Sequence, residues 1–174
     1  SNGSNKEDAF AAVVSTINRV NEIFENELGI HLELVNGLDL IYDDPDNDPY
    51  TDDFGSEVQE TLDEVFGSQN YDIGHLFAYS TVSGGGNAGS VGNVCIDNKK
   101  GSAYSYHPFE GSFNDPFLSD HFDIDYVAHE MAHQFGAFHT FGYENEFEGV
   151  SSEPGSGSTI MGYAGITGSD NVQR

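Results

Sequence analysis

The chain has 174 residues, enough for one domain with a buried core, and 37% of them are hydrophobic. Thirty acidic residues face five basic ones, so the formal net charge at pH 7 is −25. This charge excludes nucleic acids and anionic membranes as partners, since both require a cationic surface. No apolar run approaches the roughly 18 residues of a membrane span, and the opening residues lack the pattern of a signal peptide.

The first half of the chain alternates between two kinds of hydrophobic pattern. Apolar side chains recur at helical spacing in two segments, and they form short apolar or alternating runs in three others. This alternation predicts an α/β fold in which helices pack on a sheet. The predicted elements are helices over 6–28 and from about residue 56, and strands over 31–35, 38–42 and 73–79. The apolar face of the second helix is predicted to consist of Val58, Leu62, Val65 and Phe66.

An acidic loop occupies residues 43–53 and carries six aspartates and two prolines. Carboxylate oxygens suit Ca²⁺, so calcium is a possible second cofactor. The loop lacks the glycine and glutamate positions of an EF-hand, and we therefore favour a solvated acidic loop over a calcium site.

A glycine-rich stretch follows over 83–92, without the Gly-Lys-Ser/Thr ending of a phosphate-binding loop. Its glycines would let another backbone approach closely, and residues 84–86 equally fit a flexible loop. Two further strands are predicted over 91–96 and 102–106, with a turn at 98–101. Cys95 is the single cysteine, so the chain forms no internal disulfide, and we expect this residue to be a small buried apolar one.

The third main helix is predicted over 119–135 and contains His129, Glu130 and His133. Its apolar face is predicted to consist of Ile124, Val127, Ala128, Met131, Ala132 and Phe135. Histidines four residues apart differ by about 40° around a helix, so both imidazoles face one cleft. Neutral imidazoles are suitable zinc ligands. Glu130 is offset around the helix and can reach a metal-held water without being a ligand.

Gly136 follows His133 by three residues. Glycine adopts a positive φ at little cost, so it can end the helix and turn the chain back. This turn would bring His139 to the metal as a third ligand. Three protein ligands with one open position are typical of a catalytic zinc site, so Zn²⁺ is the predicted cofactor.

The pattern from His129 to His139 resembles the zinc signature of the metzincin peptidases, and residues 158–163 are similar to their methionine turn, with Met161 beneath the metal. Residues 88–95 resemble the edge strand of the reprolysin (adamalysin) group. The run from 56 to 165 is similar to reprolysin-like peptidases secreted by marine and other Bacteroidetes.

Three positions depart from an ordinary reprolysin. Thr140 stands where reprolysins usually have Asp, and His-Thr-Phe is also seen in pappalysin-like enzymes. Cys95 has no partner for the usual disulfide. Tyr163 has the spacing of a tyrosine that ligates zinc or stabilises the transition state in astacin- and serralysin-like enzymes, and its alternative role is a pocket wall.

The resemblance implies a metzincin-type catalytic domain over 1–174. Its N-terminal subdomain, 1–136, would hold a twisted mixed sheet with one antiparallel edge strand, backing helices and the active-site helix. The short irregular C-terminal subdomain, 137–174, is expected to be incomplete, because metzincins usually close with a helix after the methionine turn.

The implied activity is that of a secreted, monomeric zinc endopeptidase acting on extended protein or peptide substrates, with Glu130 as general base and then general acid. Substrate would add as an antiparallel strand to the exposed edge near 88–93. The predicted substrate-binding residues are Ala88, Gly89, Ser90, Val91 and Gly92 at that edge and Ala164, Gly165 and Ile166 in the pocket wall. The alternatives are a non-catalytic metal-binding or adhesion domain of the same fold, a pappalysin-like peptidase, and a zinc hydrolase acting on a non-peptide amide.

Overall fold

The computed structural model describes residues 6–44, 46–80, 83–107, 121–143 and 150–172. Within these ranges the chain forms an α/β fold of helices and a small sheet. The elements are α1 (Lys6–Glu27), α2 (Phe54–Val65), β1 (His75–Tyr79), β2 (Gly85–Asn87), β3 (Ala103–His107), a π-helical segment (His121–Ala128) and α3 (His129–Gln134). None of the helices in the described ranges is long and apolar enough to cross a membrane.

The three strands form one mixed sheet in the order β1-β3-β2. β1 pairs in parallel with β3, with His75 opposite Ala103 and Tyr79 opposite His107. β2 pairs antiparallel with β3, with Gly86 opposite Ser105. The antiparallel edge strand is therefore formed by residues 85–87 and not by residues 88–95, which we expected to form it from the resemblance.

Alternate side chains of β3 point to opposite sides of the sheet, as the strand period requires. Tyr104 packs edge-on against Phe54 of α2. On the other side, the Ser105 hydroxyl lies 2.9 Å from Nε2 of His75, and His107 packs edge-on against Phe122 of the π-helical segment. β3 thus lies between α2 and the helix that carries the histidine motif.

The larger hydrophobic core joins α1 to that helix. It consists of Ile17, Val20, Phe24, Phe122, Val127, Ala128, Met131, Ala132 and Met161. The predicted helix over 6–28 is confirmed over nearly its whole span, since α1 runs from Lys6 to Glu27. A smaller cluster of Val58, Leu62 and Tyr71 packs α2 on the opposite side.

The predicted strands over 31–35 and 38–42 are wrong. Residues 31–35 contain no strand, and residues 38–40 form a short 3₁₀ turn. The backbone of Leu32 pairs with a side chain, since its N–H donates to the Asn21 amide oxygen at 2.7 Å and its carbonyl accepts from the Asn21 amide nitrogen at 2.9 Å. An amide of α1 thus supplies the hydrogen bonds that a neighbouring strand would supply in a sheet.

The predicted strand over 91–96 is also wrong, and this region is a series of turns. Gly92, Cys95 and Asn98 all have positive φ, which is incompatible with an extended strand. The Ile96 N–H closes a turn onto the Asn93 carbonyl at 3.1 Å. Cys95 is exposed and not buried, because its turn carries the thiol outward to within 3.4 Å of an Asp72 oxygen.

The predicted motif helix differs in its first half. Residues 119 and 120 lie outside the described part, and the segment from His121 to Ala128 is π-helical. Phe122 and Val127, five residues apart, are both fully buried, which fits the wider turn of a π-helix but not an α-helical period. In α2, Val65 is 45% exposed, so it does not belong to the buried face that we predicted. The division of the chain at residue 136 stays a prediction.

Candidate metal centre

α3 carries the histidine motif into the centre of the fold. His129 and His133 are both buried, and they lie one helical turn apart against the core residues Met131 and Ala132. α3 packs on β3, and the π-helical segment that precedes it packs on α1, so the motif is held from two sides. The two imidazoles therefore project from a rigid support into the same space.

The turn after α3 returns the chain toward that space. Gly136 has a φ of 100°, as predicted for a residue that ends the helix. Its N–H donates to the His133 carbonyl at 2.9 Å, and the Ala137 N–H donates to the Ala132 carbonyl at 3.0 Å. This pair of hydrogen bonds is the Schellman motif, which requires a left-handed residue at this position. It places His139 opposite the two helical histidines.

The three imidazoles converge on one point. The Nε2 atom of His129 lies 3.2 Å from that of His133 and 3.1 Å from that of His139. The third distance, from His133 to His139, is 3.0 Å. Of the residues that the structure describes, these three form the one group of three or more side chains that could hold a metal ion.

Backbone carbonyls set the orientation of two of the rings. Nδ1 of His129 lies 2.6 Å from the Ile160 carbonyl oxygen, and Nδ1 of His133 lies 2.7 Å from the Ala137 carbonyl oxygen. A carbonyl only accepts, so each Nδ1 carries the proton and each Nε2 carries a lone pair. Burial, the largest cause, lowers the pKa of His129 to about 4, which keeps this ring neutral at pH 7.

This arrangement fits a zinc ion. Two unprotonated nitrogens cannot hydrogen-bond to each other, so a cation between them is the partner that satisfies their lone pairs. Zinc–nitrogen bonds of about 2.0–2.1 Å in a tetrahedron would separate the nitrogens by about 3.3 Å. The observed separations of 3.0–3.2 Å are close to that value.

Glu130 lies beside the histidines with its carboxyl group against the edge strand. A Cβ atom at Gly86 would lie 2.5 Å from Cγ of Glu130, so only glycine leaves room for this side chain. The Ala88 backbone N–H donates a hydrogen bond to the carboxylate. Burial raises the pKa of Glu130 to about 7, and the hydrogen bond from Ala88 opposes that shift.

The histidines open onto a cleft of about 350 Å³. Its described lining consists of Gly86, Asn87, Ala88, Gly89, Ser90, Val91, Glu130, His133, Phe138, His139 and Tyr163. Four of the predicted substrate-binding residues, 88–91, are in this lining. Gly86, Asn87 and Phe138 also line it, although we did not predict them as substrate-binding residues. Phe138 directly precedes His139, and this adjacency was the one signal for it in the sequence.

The other predicted substrate-binding residues lie elsewhere in the described part. Gly92 is bound to the motif helix, since its N–H donates to the His133 carbonyl at 2.9 Å. Ala164, Gly165 and Ile166 are absent from the described lining, and Ile166 is 72% exposed. Their role in substrate binding stays a prediction.

Tyr163 and Met161 flank the histidines. The Tyr163 ring packs edge-on against the His139 ring, with centroids 4.7 Å apart. Met161 is buried in the larger core, next to the residue whose carbonyl orients His129. In the described part of the acidic loop, Asp44 accepts hydrogen bonds from the Asp46 N–H and the Asn47 amide, which are contacts within a turn. They lend calcium binding no support.

A family profile matches the chain over nearly its whole length. The profile of the family described as metallo-peptidase family M12B, reprolysin-like, matches residues 2–174. No curated protein and no solved structure matches the chain significantly. The family consists of zinc-dependent peptidases, and its profile covers nearly the whole chain. The three converging histidines and the mixed α/β fold are compatible with this family. The chain belongs to the reprolysin-like M12B family of metallopeptidases.

Proposed function

We propose that this protein is a zinc-dependent endopeptidase in which His129, His133 and His139 hold the metal and Glu130 is the general base. The observation that carries the proposal is the convergence of three imidazole nitrogens within 3.0–3.2 Å of one another at the floor of an open cleft. Family membership supports a peptidase acting on proteins.

A zinc ion held by these nitrogens would polarise the scissile carbonyl and lower the pKa of a water from 15.7 toward about 7. Glu130 projects into the same cleft from the position next to His129, and it is not part of the trio that could hold the metal. In this position it takes a proton from the attacking water and delivers it to the leaving amine. The Ala88 N–H orients the carboxylate for both transfers.

Substrate binding is proposed at the cleft wall formed by residues 86–91. An extended peptide would lie along this wall, which follows the sheet edge at β2. Tyr163 lines the cleft beside His139 and is proposed to stabilise the transition state. A Tyr163→Phe variant should lower kcat with little change in KM, and unchanged turnover would assign this ring to the pocket wall.

The direct test is Glu130→Gln, which keeps the shape of the side chain but removes its basicity. We expect one zinc ion per chain and a loss of peptide cleavage of at least about 100-fold. Glu60→Gln removes the same charge from an exposed position of α2 and should cleave like the parent. Substantial cleavage by Glu130→Gln would remove Glu130 as the base. A parent protein that binds zinc but cleaves neither casein nor a quenched peptide would support the non-catalytic alternative.

A further inference from the structure

The carboxylate of Glu153 accepts four hydrogen bonds from segments that flank the three histidines. One oxygen accepts from the Thr140 hydroxyl at 2.5 Å and the Thr159 hydroxyl at 2.8 Å. The other oxygen accepts from the Ser158 N–H at 3.0 Å and the Ser158 hydroxyl at 3.2 Å. These bonds, that of Thr140 foremost, lower the pKa of Glu153 to about 2, so the group is a carboxylate at neutral pH.

The first of the two segments that this carboxylate joins carries His139. Thr140 is the next residue, and its carbonyl accepts from the Glu153 N–H at 2.9 Å. Phe141 pairs with Glu153 in an isolated parallel bridge. The Phe141 ring stacks on the His139 ring, with centroids 4.9 Å apart. The backbone and side chain of Glu153 therefore both hold the segment that places the third histidine.

The second segment orients His129. Thr159 is followed by Ile160, whose carbonyl oxygen lies 2.6 Å from Nδ1 of His129. The next residue, Met161, accepts from the Thr140 N–H at 3.3 Å. Through these hydrogen bonds, a single carboxylate connects the segments around two of the three histidines.

The backbone around the carboxylate is shaped to receive it. Gly157 has a φ of +68°, and a Cβ atom there would lie 2.9 Å from a Glu153 carboxylate oxygen. Gly157 is buried, and its N–H donates to the Pro154 carbonyl at 3.1 Å. The carboxylate thus lies directly on main chain in a fixed position.

We propose that Glu153 is a positioning residue of the metal centre, which fixes His139 and the Ile160 carbonyl and thereby sets the affinity of the site for zinc. The proposal rests on the proposed assignment of the three histidines as zinc ligands. Residues that orient metal ligands typically contribute 10–100-fold to metal affinity, because a free ligand must otherwise be ordered when the metal binds.

The test measures the zinc dissociation constant of the full chain by competition with a chromogenic chelator, without substrate. Glu153→Ala should bind zinc at least about tenfold more weakly. Glu153→Gln should recover part of that loss, because its amide keeps one acceptor oxygen. Thr140→Val should also weaken binding, because it removes the hydroxyl donor while keeping the shape of the side chain.

Glu57→Ala is the matched control. The Glu57 carboxylate also accepts two hydrogen bonds from a threonine, the Thr51 N–H at 2.9 Å and the Thr51 hydroxyl at 2.5 Å, but neither residue lines the described cleft. The zinc affinity of Glu57→Ala should stay within twofold of that of the parent. Thermal melting of the metal-free variants separates positioning from loss of folding, and Glu153→Gln and Thr140→Val serve if Glu153→Ala does not fold.

The outcomes separate this proposal from the proposed function. If all three variants bind zinc as tightly as the parent, or if Glu57→Ala weakens binding equally, the role of Glu153 is overturned while the peptidase proposal stands. If the parent binds zinc but cleaves no peptide, the peptidase proposal fails while the affinities still decide the role of Glu153. A parent that binds no zinc would overturn both.

Discussion

An alanine at Gly86 would place a methyl group against the proposed general base. The added Cβ atom would lie 2.5 Å from Cγ and 2.8 Å from a carboxylate oxygen of Glu130. Non-bonded carbon atoms in proteins are normally about 3.5–4.0 Å apart, so the Glu130 side chain would have to move by about 1 Å. Because Glu130 follows His129 on a helix packed in the core, the side chain must take up this movement.

A displacement of about 1 Å at a catalytic group can cost about 100-fold in rate, because proton transfer depends steeply on geometry. We therefore predict that Gly86→Ala lowers kcat about 100-fold. The zinc content should be unchanged, since the clash involves Glu130 and none of the three histidines. The overpacking should also destabilise the fold by about 1–3 kcal/mol.

Gly84→Ala is the matched control, since its Cβ atom would lie 2.7 Å from the Tyr126 hydroxyl, which lies outside the described cleft lining. This variant should be destabilised to a similar extent but keep kcat within about threefold of the parent. The assay is hydrolysis of a quenched peptide at saturating substrate, with zinc analysis and thermal melting of each variant. Equal kcat values for the two variants would refute the claim that Gly86 makes room for the general base.

Three further predictions concern stability. The pKa of His75 is lowered to about 4, mainly by burial. Between pH 6.5 and 4 the unfolded chain therefore binds a proton that the folded state does not, so the free energy of unfolding should fall as the pH is lowered through this range. The urea midpoint of His75→Asn should vary less with pH over the same range. The buried Asn93 amide donates to the Ala88 carbonyl at 2.9 Å, so Asn93→Asp should lower the free energy of unfolding by about 1–3 kcal/mol, measured by urea titration; an unchanged value would contradict this. Asp123 is fully buried and pairs with Arg19 at 3.0 Å. Asp123→Ala leaves the Arg19 charge without this partner, so it should lower the melting temperature far more than Asp46→Ala, which removes an exposed carboxylate.

The parts of the fold that the sequence predicted correctly depend on local pattern. The helical spacing in α1, and the helix end and turn at Gly136, are set by residues a few positions apart, so their period and glycine position can be found in the sequence alone. The histidine motif belongs to the same class, because its spacing combines a helical turn with a glycine that reverses the chain.

The errors arose where distant residues decide the local structure. The Leu32 backbone is hydrogen-bonded to the Asn21 side chain of α1, and this apolar run lies outside the sheet. The turns of residues 91–96 require a positive φ at Cys95, and a positive φ cannot be predicted from a cysteine in the sequence. Glu153 is far from the motif in the sequence, and no local pattern connects it to Thr140.

The central claim is that the histidine cluster binds one zinc ion and that this ion is required for peptide cleavage. The most direct measurement is a zinc titration of the metal-free full chain, followed by cleavage of a quenched peptide. We predict that cleavage is absent without metal, rises with added zinc and saturates at one equivalent, and that His139→Ala abolishes this response. Cleavage that persists in the metal-free protein, or no cleavage at one equivalent of bound zinc, would contradict the account.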